Sequence, residues 1–142
     1  MKTFLVRNGD FVLSGRSFDE VSGGTKVMQD ITSALREPVG SDRFHLLWGS
    51  TLPLFVGEPA SQGVAVLVKS EVERVISNYM LIQQTLLRQD QLANRRLRFS
   101  AGEVISQIES VSIEQDADRM TVRVTLLMLN GTRLNQQLAV AS

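Results

Sequence analysis

The chain has 142 residues, of which 43% are hydrophobic and 21% are charged, values typical of one globular domain spanning residues 1–142. It contains no cysteine, which excludes disulfides, thiolate zinc sites and a cysteine nucleophile. Its 15 basic residues balance 15 acidic ones, so there is no overall basic surplus for nucleic-acid binding, and no apolar run approaches the ~20 residues of a membrane span.

The N-terminal part predicts a strand hairpin followed by a helix. Phe4-Leu5-Val6 and Phe11-Val12-Leu13 flank Asn8-Gly9, and Asn-Gly is a strong signal for a tight hairpin turn. Residues 14–24 are rich in Ser and Gly and predict a loop. Apolar residues then recur at helical spacing, which predicts a helix over residues 25–36 that ends before Pro38. No apolar signal-peptide core precedes these elements, so we expect synthesis and assembly in the cytoplasm.

Residues 37–60 hold all three prolines and predict an ordered but irregular segment. Six apolar residues are its expected anchors: Leu46, Leu47, Trp48, Leu52, Leu54 and Phe55. A connection of this length is uncommon in a compact domain and often binds a partner. Two interpretations of Trp48 stay open, a docking residue for a partner and a core anchor that holds the segment in place.

Helical periodicity returns over residues 64–94, as one long helix or as two helices that meet near Asn78. Ser100 and Glu103 then have capping-box spacing, which predicts a short helix ending near Ile108. Four arginines form a basic cluster in this region: Arg88, Arg95, Arg96 and Arg98. A solvated helix end or contact with an acidic partner explains them better than nucleic-acid binding, because aromatic residues are not interleaved.

The C-terminal part switches to a period of two, which indicates β-strands. Val111 and Ile113 begin the pattern, the run from Met120 to Met128 continues it, and Asn130-Gly131 separates that run from a last strand. The alternating residues of the last strand are Thr132, Leu134, Gln136, Leu138 and Val140. The predicted fold class is α+β, with an N-terminal strand hairpin, central helices and a C-terminal antiparallel β-meander.

Three stretches of this pattern also match a known family in order and spacing. The stretches are Phe11-Val12-Leu13 with Gly24, Val27-Met28-Gln29-Asp30-Ile31 and Leu35; Trp48-Gly49-Ser50 with Leu52; and residues 105–113 with the strand from Met120 and Asn130-Gly131. Together they resemble the baseplate assembly protein W family of contractile-tailed phages, also called sheath initiators, which has relatives in type VI secretion baseplates. The chain departs from the family at Glu109-Ser110-Val111, where many members carry Glu-Pro-Arg, so only Glu109 matches.

The resemblance implies a structural role in the tail baseplate of a virion assembled in the host cytoplasm. The implied partners are the tail sheath protein and the baseplate wedge proteins, with tail tube or hub proteins as further candidates, and six copies per tail are expected. No nucleic acid, membrane, cofactor or metal is expected. Sheath assembly would begin by β-strand addition at the last strand, through Thr132, Leu134, Gln136, Leu138 and Val140. Glu109 would contact the wedge at the family's docking junction, and Trp48 is a second candidate wedge contact under its docking interpretation.

Two alternatives to the baseplate role are a tail-associated cell-wall hydrolase and a generic small self-associating domain. His45 is the only histidine and lies in no catalytic motif. A lysozyme-like enzyme needs two carboxylates, and Glu37, Asp42 and Glu58 are candidates. Fifteen carboxylates supply candidate pairs in any protein of this size, so we assign no catalytic residue and expect no enzyme activity.

Overall fold

The elements follow the order strands, helices, sheet, so the fold is α+β as predicted. A computed structural model describes residues 1–7, 10–15, 17–18, 20–59, 61–117 and 119–141. The helices are α1 (Gly23–Arg36) and α2 (Gln62–Leu92), with a short 3₁₀ helix at Leu52–Phe55 between them. Three long strands close the chain: β7 (Ile105–Asp116), β8 (Arg119–Met128) and β9 (Arg133–Ala141).

Among the described residues, six short strands precede α1 and pair antiparallel in twos. They are β1 (Lys2–Phe4), β2 (Val6–Arg7), β3 (Asp10–Phe11), β4 (Leu13–Ser14), β5 (Ser17–Phe18) and β6 (Glu20–Ser22), with pairs β1–β6, β2–β3 and β4–β5. The predicted hairpin is confirmed in part: Val6 pairs with Phe11 in β2–β3, but Phe4 belongs to β1 and Leu13 to β4, which pair with β6 and β5. The predicted turn, Asn8-Gly9, lies outside the described residues. The loop predicted over residues 14–24 is wrong, because backbone pairing with β1 and β4 makes strands of a segment that has low strand propensity.

Helix α1 begins at Gly23, two residues before the predicted start, and its side facing the core carries Val27, Ile31 and Leu35. Helix α2 is one continuous helix of 31 residues, which decides between the two alternatives. The Ser61 hydroxyl accepts a hydrogen bond from the Val64 amide and so caps the start of α2. Past its end, Asn94 adopts a positive φ of 51°, and the Arg95 amide donates back to the Asp90 carbonyl.

The C-terminal sheet has strand order β7–β8–β9, and both pairs are antiparallel, which confirms the predicted meander. The helix predicted from Ser100 to Ile108 is wrong. Residues 101–103 form a turn, and β7 begins at Ile105, whose amide donates to the buried side chain of Gln83 on α2. Glu103 does accept from the Ser100 amide, but its carboxylate also bonds to other segments, so the pair closes a turn instead of opening a helix.

One hydrophobic core lies between the two helices and one face of the sheet. Helix α1 contributes Ile31, α2 contributes Val68, Val72 and Ile76, and the middle strand contributes alternate residues from Met120 to Met128. The opposite face of the sheet is polar, with an ion pair between Arg123 and Glu114. Both helices therefore cover the same face and leave the polar face to solvent.

The segment over residues 37–60 is irregular, as predicted, but half of its expected anchors are exposed. Leu52 is buried, and Trp48 and Phe55 are half-buried against the core. The exposed fractions of Leu46, Leu47 and Leu54 are 66%, 70% and 75%, so the prediction that they are anchors is wrong. The backbone is held at residues 48–52 instead, which leaves these three leucines free to face solvent.

Candidate functional site

Strand β9 lies at the edge of the sheet, and this edge is the candidate functional site. It has nine residues, no proline and no charged residue after Arg133. Its register with β8 is regular from Arg133↔Leu127 to Ala141↔Arg119. In the described part of the chain, no strand pairs with its other side. Its outward backbone groups therefore form a template for a further strand.

The turn before β9 determines which residues face that free edge. The Met128 amide donates to the Thr132 carbonyl at 2.8 Å, so these residues form a hydrogen-bonded pair. Such pairs alternate along an antiparallel ladder. With the observed register, Leu134, Gln136, Leu138 and Val140 bond to β8, whereas Arg133, Asn135, Gln137 and Ala139 direct their N–H and C=O groups outward.

The turn itself is a three-residue loop over residues 129–131. The Gly131 amide donates to the Met128 carbonyl at 3.0 Å, and Gly131 has a φ of +86°. The Asn130 side chain accepts from the Thr132 amide at 3.0 Å. This geometry is a type I turn followed by a left-handed glycine, which fixes the register of β9. Thr132, one of the predicted partner-binding residues, therefore pairs with Met128 directly after the turn, one residue before β9 begins.

The other predicted residues of the last strand face the helices. Leu138 and Val140 are buried, and Leu134 and Gln136 are half-buried. The Gln136 side-chain amide donates to the Thr32 hydroxyl of α1 at 3.2 Å. These four side chains connect β9 to the core, and the groups offered to a partner belong to the intervening residues. Sequence periodicity alone could not reveal this, because the alternation is visible but its phase depends on the turn.

A pocket of about 270 Å³ lies between the end of β9, the end of α1 and the 3₁₀ helix. Eight residues line this pocket: Leu35, Arg36, Leu52, Pro53, Val56, Leu138, Ala139 and Val140. Around Gln136 a second pocket of about 620 Å³ lies between α1 and β2, and Arg36 lines both. Neither pocket could be predicted from the sequence, because the walls of each come from segments far apart in the chain.

Glu109 is placed on the polar face of the sheet, at an irregularity in the pairing of β7 with β8. Its carboxylate accepts from the Arg133 guanidinium at 2.8 Å, across the middle strand. The carboxylate raises the pKa of Arg133 above its usual value. Glu109 thus holds the first residue of β9 and is placed on a different face from Trp48.

Trp48 is held by contacts on two sides. Its indole N–H donates to the Glu37 carboxylate at 2.8 Å, and its ring centroid lies 6.5 Å from that of Tyr79 on α2. Gly49 follows with a φ of +97°, and a Cβ there would lie 2.7 Å from the Pro38 carbonyl oxygen. Buried Ser50 donates from its hydroxyl to the Leu35 carbonyl. These contacts favour the core-anchor interpretation of Trp48.

The Gln29-Asp30 pair on α1 connects three parts of the chain. Gln29 accepts from the Val6 amide at 3.0 Å and donates to the Phe4 carbonyl at 2.8 Å. Asp30 pairs with Lys26 and accepts from the Tyr79 hydroxyl at 2.8 Å. Burial, and then the nearby Asp30 charge, raise the pKa of Tyr79 well above its usual value. This motif therefore positions the N-terminal strands and α2 around α1.

The candidate enzyme residues are spread over exposed loops. The His45 ring lies 2.9 Å from Asp42, and that hydrogen bond lowers the pKa of Asp42. Glu37 binds Trp48, and Glu58 is exposed. Within the described ranges, no group of three or more His, Asp or Glu side chains is placed to hold a metal ion.

Among the residues that the structure describes, one member of the basic cluster, Arg98, forms an ion pair with a buried aspartate, and the other three arginines do not. The Arg98 guanidinium donates two hydrogen bonds to Asp90, at 2.7 and 2.9 Å, and Asp90 is buried at the end of α2. Arg88, Arg95 and Arg96 are exposed. Arg98 therefore has a structural role, and the other three form the solvated end of the helix.

Although α2 is long, no helix in the described part of the chain is both long and apolar enough to cross a membrane. Comparison of the chain with protein-family models, with curated proteins and with solved structures finds no match.

Proposed function

We propose that the chain is a structural protein of a contractile phage tail that docks on the baseplate wedge and initiates the sheath by β-strand addition at β9. The observation that carries this proposal is the free edge of β9, where four alternate residues direct their backbone N–H and C=O groups outward: Arg133, Asn135, Gln137 and Ala139. The resemblance to the baseplate assembly protein W family supplies the context of a tail.

The edge lacks the features that normally prevent strands from pairing between molecules. Proteins protect such edges with proline, charge, bulges or short strands. Strand β9 has nine residues, a regular register with β8, no proline and only Arg133 as a charge. An incoming strand would gain main-chain hydrogen bonds along the edge, and neighbouring side-chain pockets would determine its register.

The surface that docks on the wedge is proposed to be the irregular segment beside Trp48. Phe44, Leu46 and Leu47 are exposed by 92%, 66% and 70%, whereas Trp48 is fixed by Glu37 and Tyr79. Exposed apolar side chains on an anchored loop suit a protein interface, because the fixed backbone keeps them from packing against the core of their own chain. With six copies around the tail, each copy would offer one free strand to one sheath subunit.

Sheath nucleation tests the strand-addition step. Purified sheath protein of the same phage is mixed with the wild-type chain, with Gln137→Pro and with Gln137→Ala, and rings are counted by negative-stain electron microscopy. Gln137→Pro removes one outward N–H, whereas Gln137→Ala removes the side chain but keeps that donor. We expect nucleation with the wild type and Gln137→Ala and at least a tenfold loss with Gln137→Pro. Equal nucleation by all three proteins would contradict strand addition at β9.

A further inference from the structure

The pocket at the end of β9 lies where side chains of an added strand would point. Residues directly opposite each other in neighbouring strands face the same side of a sheet. The side chains of Leu138 and Val140 face the helices. Residues of an added strand that lie opposite these two would therefore point into the pocket of about 270 Å³. Most of its wall is aliphatic, from α1, the 3₁₀ helix and β9. This environment favours one large apolar side chain.

Arg36 adds a positive charge where the two pockets beside β9 meet. It is an exposed residue in the last turn of α1, and it lines both the pocket beside Leu138 and the one beside Gln136. Within the described ranges it forms no ion pair. A residue added opposite Gln136 would face the helices two positions from the residue opposite Leu138, because side chains alternate along a strand. A carboxylate there would meet the guanidinium.

We propose that the strand received by β9 carries one large apolar residue and, two positions away, an acidic residue. This proposal rests on strand addition at β9 and names the partner sequence that the edge selects. The backbone ladder would supply affinity for any extended segment, whereas the pocket and Arg36 would supply the register and the choice of partner. The order is apolar-x-acidic for an antiparallel strand and acidic-x-apolar for a parallel one.

Synthetic strands test the selection directly. Two nine-residue peptides of alternating threonine and lysine carry Leu-x-Glu or Glu-x-Leu at their inward positions, and two matched peptides replace the leucine by serine. Binding to the full chain is measured by NMR, which also follows the amides of Asn135, Gln137 and Ala139. One leucine peptide should shift and protect these amides and bind at least tenfold more tightly than its serine match, because only leucine buries apolar surface in the pocket.

Substitutions at two equally exposed valines test whether the preference for leucine peptides arises in the pocket. Val56 lines the pocket and is 61% exposed, whereas Val66 lies on α2, does not line it and is 62% exposed. Val56→Asp should abolish the preference for leucine, and Val66→Asp should keep it. Arg36→Glu should weaken binding of the glutamate peptide about two- to fivefold, because an exposed ion pair contributes little. A peptide that carries lysine in place of glutamate should restore binding to this variant.

The outcomes separate the two proposals. The chain could bind leucine and serine peptides with equal affinity while its β9 amides are protected. That result would overturn the pocket inference but would still support strand addition. No protection by any peptide would also overturn the inference, and the nucleation assay with Gln137→Pro would then decide the function independently. A leucine preference that survives in Val56→Asp would place the apolar contact elsewhere and contradict the proposed pocket.

Discussion

Glu103 shows at the scale of one residue how the turn before the sheet is held. Its carboxylate is 2% exposed and accepts from the Gly23 amide at 2.9 Å, from the Ser100 amide at 3.0 Å and from the Met1 amino group at 3.1 Å. Burial alone would raise the pKa of Glu103, but these three donors outweigh it and the pKa is lowered. The carboxylate thus joins the start of α1 to the turn before β7.

Removal of this carboxylate should destabilise the fold. Glu103→Ala leaves the amides of Gly23 and Ser100 without their acceptor, and we expect a loss of roughly 2–5 kcal/mol in the free energy of unfolding. Glu103→Gln keeps one acceptor oxygen and should lose less. Urea unfolding measures both variants. A loss below about 0.5 kcal/mol for Glu103→Ala would show that water replaces the carboxylate.

Asp90 should contribute a pH-dependent part of the stability. The hydrogen bond from Arg98 lowers the pKa of Asp90 from 3.8 to about 2. The folded pKa lies below the unfolded one, so the contribution is fully present above about pH 4 and is lost as the pH falls towards 2. The difference in urea stability between wild type and Asp90→Asn should therefore shrink between pH 5 and pH 2. A difference that does not change with pH would contradict this assignment.

At the scale of residues, the sequence indicates only contacts between residues that are close along the chain. The capping-box spacing correctly paired Ser100 with Glu103, yet the partners from Gly23 and Met1 lie too far along the chain for any local pattern to indicate. The pattern was therefore assigned to a helix that does not form. Asp90 and Arg98 are eight residues apart, a spacing at which no helical rule pairs them.

At the scale of elements, the phase of β9 predicts that proline destabilises the fold to very different extents at two neighbouring positions. Gln136→Pro removes an N–H that bonds to β8, and it should cost about 3 kcal/mol of stability. Gln137→Pro removes an N–H that faces the free edge, and it should cost far less. Urea unfolding of the two variants tests this. Equal losses would show that the inferred phase is wrong.

This phase also changes which variants test strand addition. A proline at Leu134 or Gln136, which sequence alternation suggests, would disrupt the β8–β9 ladder as well as the edge. Loss of assembly by such a variant would therefore reflect a damaged sheet. Gln137→Pro with Gln137→Ala avoids this ambiguity, because both keep the inner ladder.

The Trp48-Gly49-Ser50 element should be sensitive to a single methyl group. At Gly49, with a φ of +97°, an added Cβ would lie 2.7 and 2.8 Å from the carbonyl oxygens of Pro38 and Glu37. Backbone strain of this kind costs of order 1–3 kcal/mol, and the clash adds to it. Gly49→Ala should lower the urea midpoint accordingly. Gly57→Ala is the control, because Gly57 also has a positive φ, of 89°, but nothing lies near its Cβ.

At the scale of the whole molecule, periodicity and turn residues were sufficient to predict the α+β class, the meander and most of α1 and α2. They failed at β6, whose partner β1 lies at the start of the chain, and at β5, which pairs locally with β4 in a segment that has low strand propensity. The edge position of β9 follows from the meander, whereas the pocket beside it does not. That pocket combines α1, the 3₁₀ helix and β9, which only the tertiary packing brings together.

The most direct test of strand addition at β9 is cryo-electron microscopy of the chain assembled with the tail sheath protein. We expect a fourth strand from a sheath subunit beside β9, with main-chain hydrogen bonds to Asn135, Gln137 and Ala139. An open β9 edge in a complex where the sheath contacts another surface, or a sheath that starts without this chain, would contradict it.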